Sequence, residues 1–193
     1  MSNEVKQNTM RIVDGRETPA TGVWDIDPEH ASMTFEAKHM MIAKARGSLS
    51  DANGTITVEN DPADSSVELS IPVASLQSGS KERDAHLLSE DFLDVANHPT
   101  MSFSGDKVEI VGDRYRLHGE LTVKSVTRPV ILDFEFNGAI IDPWGNARAA
   151  FSASTAIDRT DWGLTWNMPL ETGGVLVGKT VKITIEAEAV KRS

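Results

Sequence analysis

From Trp24 onward, apolar and polar residues alternate with a period of two. Over 181–189, Val181, Ile183, Ile185, Ala187 and Ala189 point one way, and Lys182, Thr184, Glu186 and Glu188 the other. Val130, Leu132, Phe134 and Phe136 repeat the pattern against Ile131, Asp133, Glu135 and Asn137. So do Val67, Leu69, Ile71 and Val73, and Tyr115, Leu117, Gly119, Leu121 and Val123. Successive strand side chains face opposite sides, so this is the pattern of a sheet with one covered and one solvated face. Weaker runs occupy 33–39, 54–59, 100–111 and 148–157, and turn signals separate them: Asn53-Gly54, Asn60-Asp61-Pro62, Gly112-Asp113 and Asp142-Pro143-Trp144-Gly145-Asn146. About eight closely spaced strands predict an all-β domain, as an antiparallel sandwich or a closed barrel.

One segment breaks the alternation. Over 80–91, Ala85, Leu88 and the following Phe92 fall at helical spacing, with Ser80 as N-cap and Glu82 and Asp84 in the first turn. This predicts a short helix over a barrel end or sheet edge. No repeat or linker divides the chain, so the expected organisation is a disordered polar tail over 1–22 and a single domain over 23–193.

Composition changes the picture of the interior. Only 11 residues are Phe, Trp or Tyr, and several inward positions are small: Ala37, Gly119, Ala187 and Ala189. Such a lining leaves room for an apolar guest. A second layer of helix or sheet packed on the same face satisfies the pattern equally well. On β-pattern grounds Phe151 weakly favours 151, 153 and 155 as the inward set of the run over 148–157.

Charge and cysteine content exclude several classes. With 19 Lys and Arg against 29 Asp and Glu, the net charge is −10, unlike a nucleic-acid binder or a polybasic membrane face. The segment over 1–22 is itself neutral, so the excess acid belongs to the folded part. No cysteine is present, which removes thiolate metal sites and cysteine nucleophiles. No run reaches the roughly 20 apolar residues of a membrane-spanning helix, and residues 1–22 contain no signal-peptide core, so a cytoplasmic location is expected.

Candidate chemistry is sparse. The five histidines show no metal-ligand spacing, and neither a nucleophile elbow nor a phosphate-binding loop is present. No metal, cofactor or catalytic residue is therefore assigned. His39 shares a face with Met33, Phe35 and Ala37, where a polar ring needs a partner, either a side chain or a ligand headgroup. Arg83 and His86 lie one helical turn apart and face either solvent or an anion. Arg128 and Arg159 sit at strand ends. Trp144, Trp162 and Trp166 fall at turns or strand ends, where they plug a barrel end or flank an entrance.

Several blocks, in order over about 23–190, resemble one family. Trp24-Asp25-Ile26-Asp27-Pro28-Glu29-His30, then Phe35, His39 and Arg46-Gly47, are similar to the opening of YceI-like proteins. Arg83-Asp84-Ala85-His86-Leu87 with Asp91-Phe92, Pro99 and Phe103 resembles their central motif. Gly119-Glu120-Leu121-Thr122-Val123-Lys124 and Val126-Thr127-Arg128-Pro129-Val130 match the next block, and Ile157-Asp158-Arg159, Gly163 and Leu170-Glu171-Thr172-Gly173-Gly174 the last. Ala31, Ser125 and Trp162 depart from the Ser, Gly and Phe usual at those places.

The resemblance implies a bacterial, lipocalin-like antiparallel β-barrel that binds a long isoprenoid lipid, a polyprenyl phosphate or quinone-type molecule, without catalysis, and is associated with stress responses. It points to Phe35, Phe103, Leu121, Phe134, Phe136, Phe151 and Trp162 as tunnel wall, the choice resting on alternation, with Trp162 able to shorten the tunnel. It points to His39, Arg83, His86 and Arg159 as the polar end. Two other readings stand beside it: an enzyme acting on an apolar molecule in the same cavity, and a protein-interaction module. Expected partners are the lipid and no nucleic acid, with homodimerisation left open.

Overall fold

The computed structural model describes residues 9–112, 114–171 and 173–192. Its first elements correct the expected tail. Within 1–22, strands β1 (Met10–Val13) and β2 (Arg16–Pro19) form a hairpin with Met10 opposite Pro19 and Val13 opposite Arg16. Residues 1–8 of that tail lie outside the described residues. Asp14 and Gly15, at φ 50° and 78°, make the left-handed two-residue turn that suits the twist of a hairpin. The hairpin is too polar for alternation to expose it, because its anchors are arginines on distant backbone. Arg11 donates to the Asn60 carbonyl at 2.8 Å and also to that of Glu59, while Arg16 donates to Gly112 O at 2.7 Å.

The remaining strands are β3 (Gly22–His39), β4 (Ala43–Leu49), β5 (Asn53–Val58), β6 (Ser66–Pro72), β7 (Thr100–Val111), β8 (Arg114–Val123), β9 (Val126–Ile141), β10 (Ala147–Asp158) and β11 (Val177–Lys191). They are antiparallel neighbours in the order β11-β10-β9-β8-β7-β6-β5-β3-β4, and β11 also pairs with β3, which closes the sheet. The two short strands share one stave: β4 pairs with residues 33–39 of β3, and β5 with residues 22–25. The result is an eight-stave antiparallel barrel. Of the two arrangements the alternation allowed, the closed barrel is the one formed, and among the described residues no second layer packs on the apolar face.

Helix α1 (Lys81–Leu88) crosses one barrel end, and the β1–β2 hairpin lies at the other. Ser80 caps α1 by accepting from the Arg83 backbone N–H. The helix stops at Ser89, short of the expected residue 91, because Ser89 N–H and Oγ both bond to His86 O. Phe92 is buried just beyond it.

The Asp27-Pro28-Glu29-His30 block bulges out of the β3–β11 ladder. The register jumps from Ala31↔Ala187 to Ile26↔Ala189, so residues 27–30 have no ladder partner. Asp27 turns back to accept from Glu29 N at 3.1 Å and lies 3.0 Å from His30 Nδ1. Arg148 of β10 then holds Asp27 at 2.7 Å, Asp142 at 3.1 Å and Glu188 at 3.1 Å, tying β3, the β9–β10 turn and β11 together. Burial raises the Asp142 carboxyl, but hydrogen bonds from Asn146, Arg148 and the Trp144 backbone outweigh it and hold the pKa at about 2.

A folded-state pKa below the ordinary value of 3.8 stabilises the protein above that pH, and the contribution disappears as pH falls through about 2. Asp142→Asn is therefore expected to melt lower than the parent at pH 6, by on the order of 5 °C, with the two melting curves converging towards pH 2. A gap independent of pH would refute the ionic origin.

Candidate functional site

Inward side chains do not fill the barrel evenly. At the α1 end Leu49, Val73, Leu76, Trp162 and Ile183 pack into a closed core. Trp162 is 3% exposed and donates Nε1–H to Leu121 O at 3.0 Å, bridging from the 3-10 turn over Arg159–Trp162 to β8. From mid-barrel to the hairpin end the packing opens into a cavity of about 140 Å³. Met33, Ile71, Phe103 and Ile185 form its floor, and Tyr115, Phe134, Phe136 and Phe151 its aromatic wall. Thr18 and Pro19 of the hairpin, with Pro62, Ser65 and Ser66, frame the mouth. Among the described residues no Asp, Glu, Lys, Arg or His side chain lines it.

Two glycines keep the inner wall smooth. The Phe103 ring lies over Gly119 and Gly105, where added Cβ atoms would meet it at 2.5 and 2.9 Å. Phe35 likewise covers Gly47. An aromatic ring over a strand glycine replaces the missing side chain without projecting into the lumen. On β10 the inward set is Phe151 and Ala153, with Ser152 and Ser154 on the outer face.

Of the seven residues expected on the tunnel wall, Phe103, Phe134, Phe136 and Phe151 line the cavity. Phe35, Leu121 and Trp162 instead belong to the closed core at the α1 end, so the cavity stops short of Trp162. The four residues expected at the polar end all gather at that closed end, away from the mouth. His39 ends β3 opposite Ala43 and Val177. Arg83 donates to Ser78 Oγ at 2.8 Å and to the Ser78 carbonyl.

His86 lies 3.1 Å from Asp91, with its ring edge-on to Phe92 and Trp166 at 5.1 and 4.5 Å between centroids. Arg159 is buried, donates to the carbonyls of Leu164, Gly178 and Val177, and stands 6.0 Å from the Phe92 ring. Burial lowers its pKa, partly offset by the charge of neighbouring Asp158. Arg159, Phe92, His86 and Trp166 thus stitch α1 to the loop before β11. Of the last sequence block, Thr172 lies outside the described residues.

Pattern reasoning did not assign the mouth. Thr18, Ser65 and Ser66 lie outside the alternating runs, and the one available signal was Asp14-Gly15, a hairpin dipeptide inside a polar stretch.

Comparison with known proteins agrees with this architecture. The YceI-like domain matches residues 24–189. A UPF0312 protein of Pectobacterium atrosepticum is 37% identical over 146 residues, covering 75% of this chain and 76% of its own length. Burkholderia cenocepacia BcnA superposes with a TM-score of 0.73 at 18% identity, over 84% of this chain and 98% of that one. A polyisoprenoid binding domain from Saccharophagus degradans, implicated in plant cell wall breakdown, superposes with a TM-score of 0.64 at 12% identity, over 88% of this chain and 98% of its own. At these identities the two solved structures speak to the fold.

Proposed function

The chain belongs to the YceI-like domain family, and on that footing we propose that it binds a long-chain isoprenoid lipid, of the polyprenyl phosphate or quinone type, as a non-catalytic carrier or store. The observation that carries this reading is the charge-free lining, in which four phenylalanines and a run of aliphatic side chains surround an open lumen. Burial of apolar surface is worth roughly 25 cal/mol per Å², enough to hold a hydrocarbon chain without specific polar contacts. The Saccharophagus degradans domain, which shares the fold and is described as polyisoprenoid binding, supports the same ligand class.

A cavity of about 140 Å³ is smaller than the roughly 300–1,000 Å³ of pockets that enclose drug-sized ligands. A long chain therefore enters tail first, its far end against Phe103, and the remainder passes out beneath the β1–β2 hairpin. The headgroup then meets the hydroxyls of Thr18, Ser65 and Ser66, rather than His39, Arg83, His86 or Arg159 at the closed end. A stress-related role, as a store that protects such a lipid, is part of this reading.

Protein purified without detergent and extracted with organic solvent is expected to release a lipid whose mass fits a series of five-carbon units. An empty extract, together with no uptake of added geranylgeraniol or a prenylated quinone by native mass spectrometry, would overturn the proposal.

A further inference from the structure

The β3–β4 turn, at the closed end of the barrel, is built against local preference. Met40 and Met41 both adopt positive φ, 51° and 63°, with Ile42 N–H bonded to His39 O at 3.3 Å. Two successive left-handed residues make the tight hairpin turn that Asn-Gly normally fills, because a Cβ is disfavoured there. Here the turn presents large apolar side chains, with Met40 45%, Met41 50% and Ile42 90% exposed. Exposed Met168 and Val175 extend the surface, and Met41 Cγ would lie 3.1 Å from a Cβ on Gly174, which puts the two loops side by side.

The strands leading to this tip carry a second anomaly. Lys38 of β3 stands directly opposite Lys44 of β4, although like charges across a strand pair repel. On the other side of Lys38 the β3–β11 register slips, and Gly178 packs against Lys38 at 3.1 Å (from a built Cβ), bringing Lys179 alongside. Glu36 pairs with both Lys44 and Arg46, at 2.7 and 2.9 Å, and so neutralises one of the two. A chain of net charge −10 thus sets four cations, Lys38, Lys44, Arg46 and Lys179, against two nearby carboxylates, Glu36 and Asp158, behind an apolar tip. At physiological salt charges are screened beyond roughly 8 Å, so this local group, rather than the net charge, governs what the tip touches.

We propose that the β3–β4 tip is a membrane-contact element for anionic bilayers. Met40, Met41, Ile42 and Met168 enter the boundary between headgroups and acyl chains, and Lys38, Lys44 and Lys179 meet lipid phosphates, which relieves the Lys38–Lys44 repulsion. The contact lies at the opposite end from the cavity mouth and does not depend on a ligand being bound.

The test is co-sedimentation of the full chain with phosphatidylcholine vesicles, with or without roughly one-third phosphatidylglycerol. The protein is expected to pellet with the anionic vesicles only, and to be released in about 0.5 M salt. Met41→Asp/Ile42→Asp is expected to lower the partition coefficient at least about tenfold, and Lys38→Gln about fivefold, with melting temperatures unchanged. Failure of the parent chain to pellet with anionic vesicles, or a double-Asp chain that pellets equally well, would overturn the proposal. So would a dimer in size-exclusion chromatography that the double-Asp chain converts to monomer without any vesicle binding, since the patch would then seat a second copy.

Discussion

A chain carrying Ala153→Trp is expected to fold and to emerge from purification empty. Ala153 faces the lumen between Phe134 of β9 and Ile185 of β11, in the part of the cavity that lies between mouth and floor. An indole there occupies the space of about one five-carbon unit. At about 0.8 kcal/mol per buried methylene, excluding such a unit forfeits about 3–4 kcal/mol, a few hundredfold in Kd. Titration with a prenylated quinone, followed by quenching of tryptophan fluorescence, measures the loss against the parent chain. The matching control is Ser152→Trp, on the outer face of the same strand, which is expected to bind as the parent does. Equal affinities in all three chains would place the ligand outside the barrel. Vesicle binding by the β3–β4 tip is expected to survive Ala153→Trp, because the two sites lie at opposite ends.

Gly119→Ala is the second change expected to have a large effect, this time on stability. The added methyl meets the Ser104 carbonyl well inside contact distance and the Phe103 ring at 2.5 Å. The ring can turn, but the carbonyl belongs to the β7–β8 ladder and cannot. Overpacking against a fixed backbone is expected to cost about 3 kcal/mol, a fall in melting temperature of roughly 6–12 °C for a chain of this size. At Gly105 the nearest atoms to a new methyl are side-chain carbons of Leu117 and Phe103 at 2.9 Å. Gly105→Ala is therefore expected to cost about 1 kcal/mol. Urea denaturation of both variants decides the point. Equal losses would mean that the Phe103 ring, common to both sites, sets the cost. Any Phe103 ring lifted by either methyl moves into the lumen, so both variants should also bind a shorter isoprenoid in preference to a longer one.

The strands and their faces were legible because each strand records its own inside and outside, while the choice of a barrel over a sandwich rested on the family resemblance. Val181, Ile183, Ile185, Ala187 and Ala189 need no distant residue to show that they share a face. Alternation likewise put Phe103, Phe134, Phe136 and Phe151 on the inward face, where they line the cavity, although the expectation of a tunnel came from the family resemblance. The wall assignment failed at Phe35, Leu121 and Trp162, which point inward like the others but at the closed end, because alternation gives direction and says nothing of height along the barrel axis. The polar-end residues show the same limit. His39, Arg83, His86 and Arg159 lie at the closed α1 end, away from the cavity mouth. Arg159 makes the case: its guanidinium is spent on the carbonyls of Leu164, Val177 and Gly178.

Net charge is silent on local grouping. A total of −10 argued against a polybasic membrane face, and Lys38, Lys44 and Lys179 come together only once β3 is paired with both β4 and β11. The Asp-Pro-Glu-His block, conspicuous in the sequence, proved to be a bulge clamped by Arg148 from 121 residues away.

The alternation and turn signals alone therefore determined the fold class, the strand faces and the apolar character of the interior, since side-chain direction along a strand is a property of neighbouring residues. Which end of the barrel opens was decided by tertiary contacts. Trp162 reaches Leu121 across 41 residues to close one end, and Arg11 reaches Glu59 across 48 to seat the hairpin at the other. Such contacts follow from how the closed sheet brings its loops together, and no local periodicity encodes them.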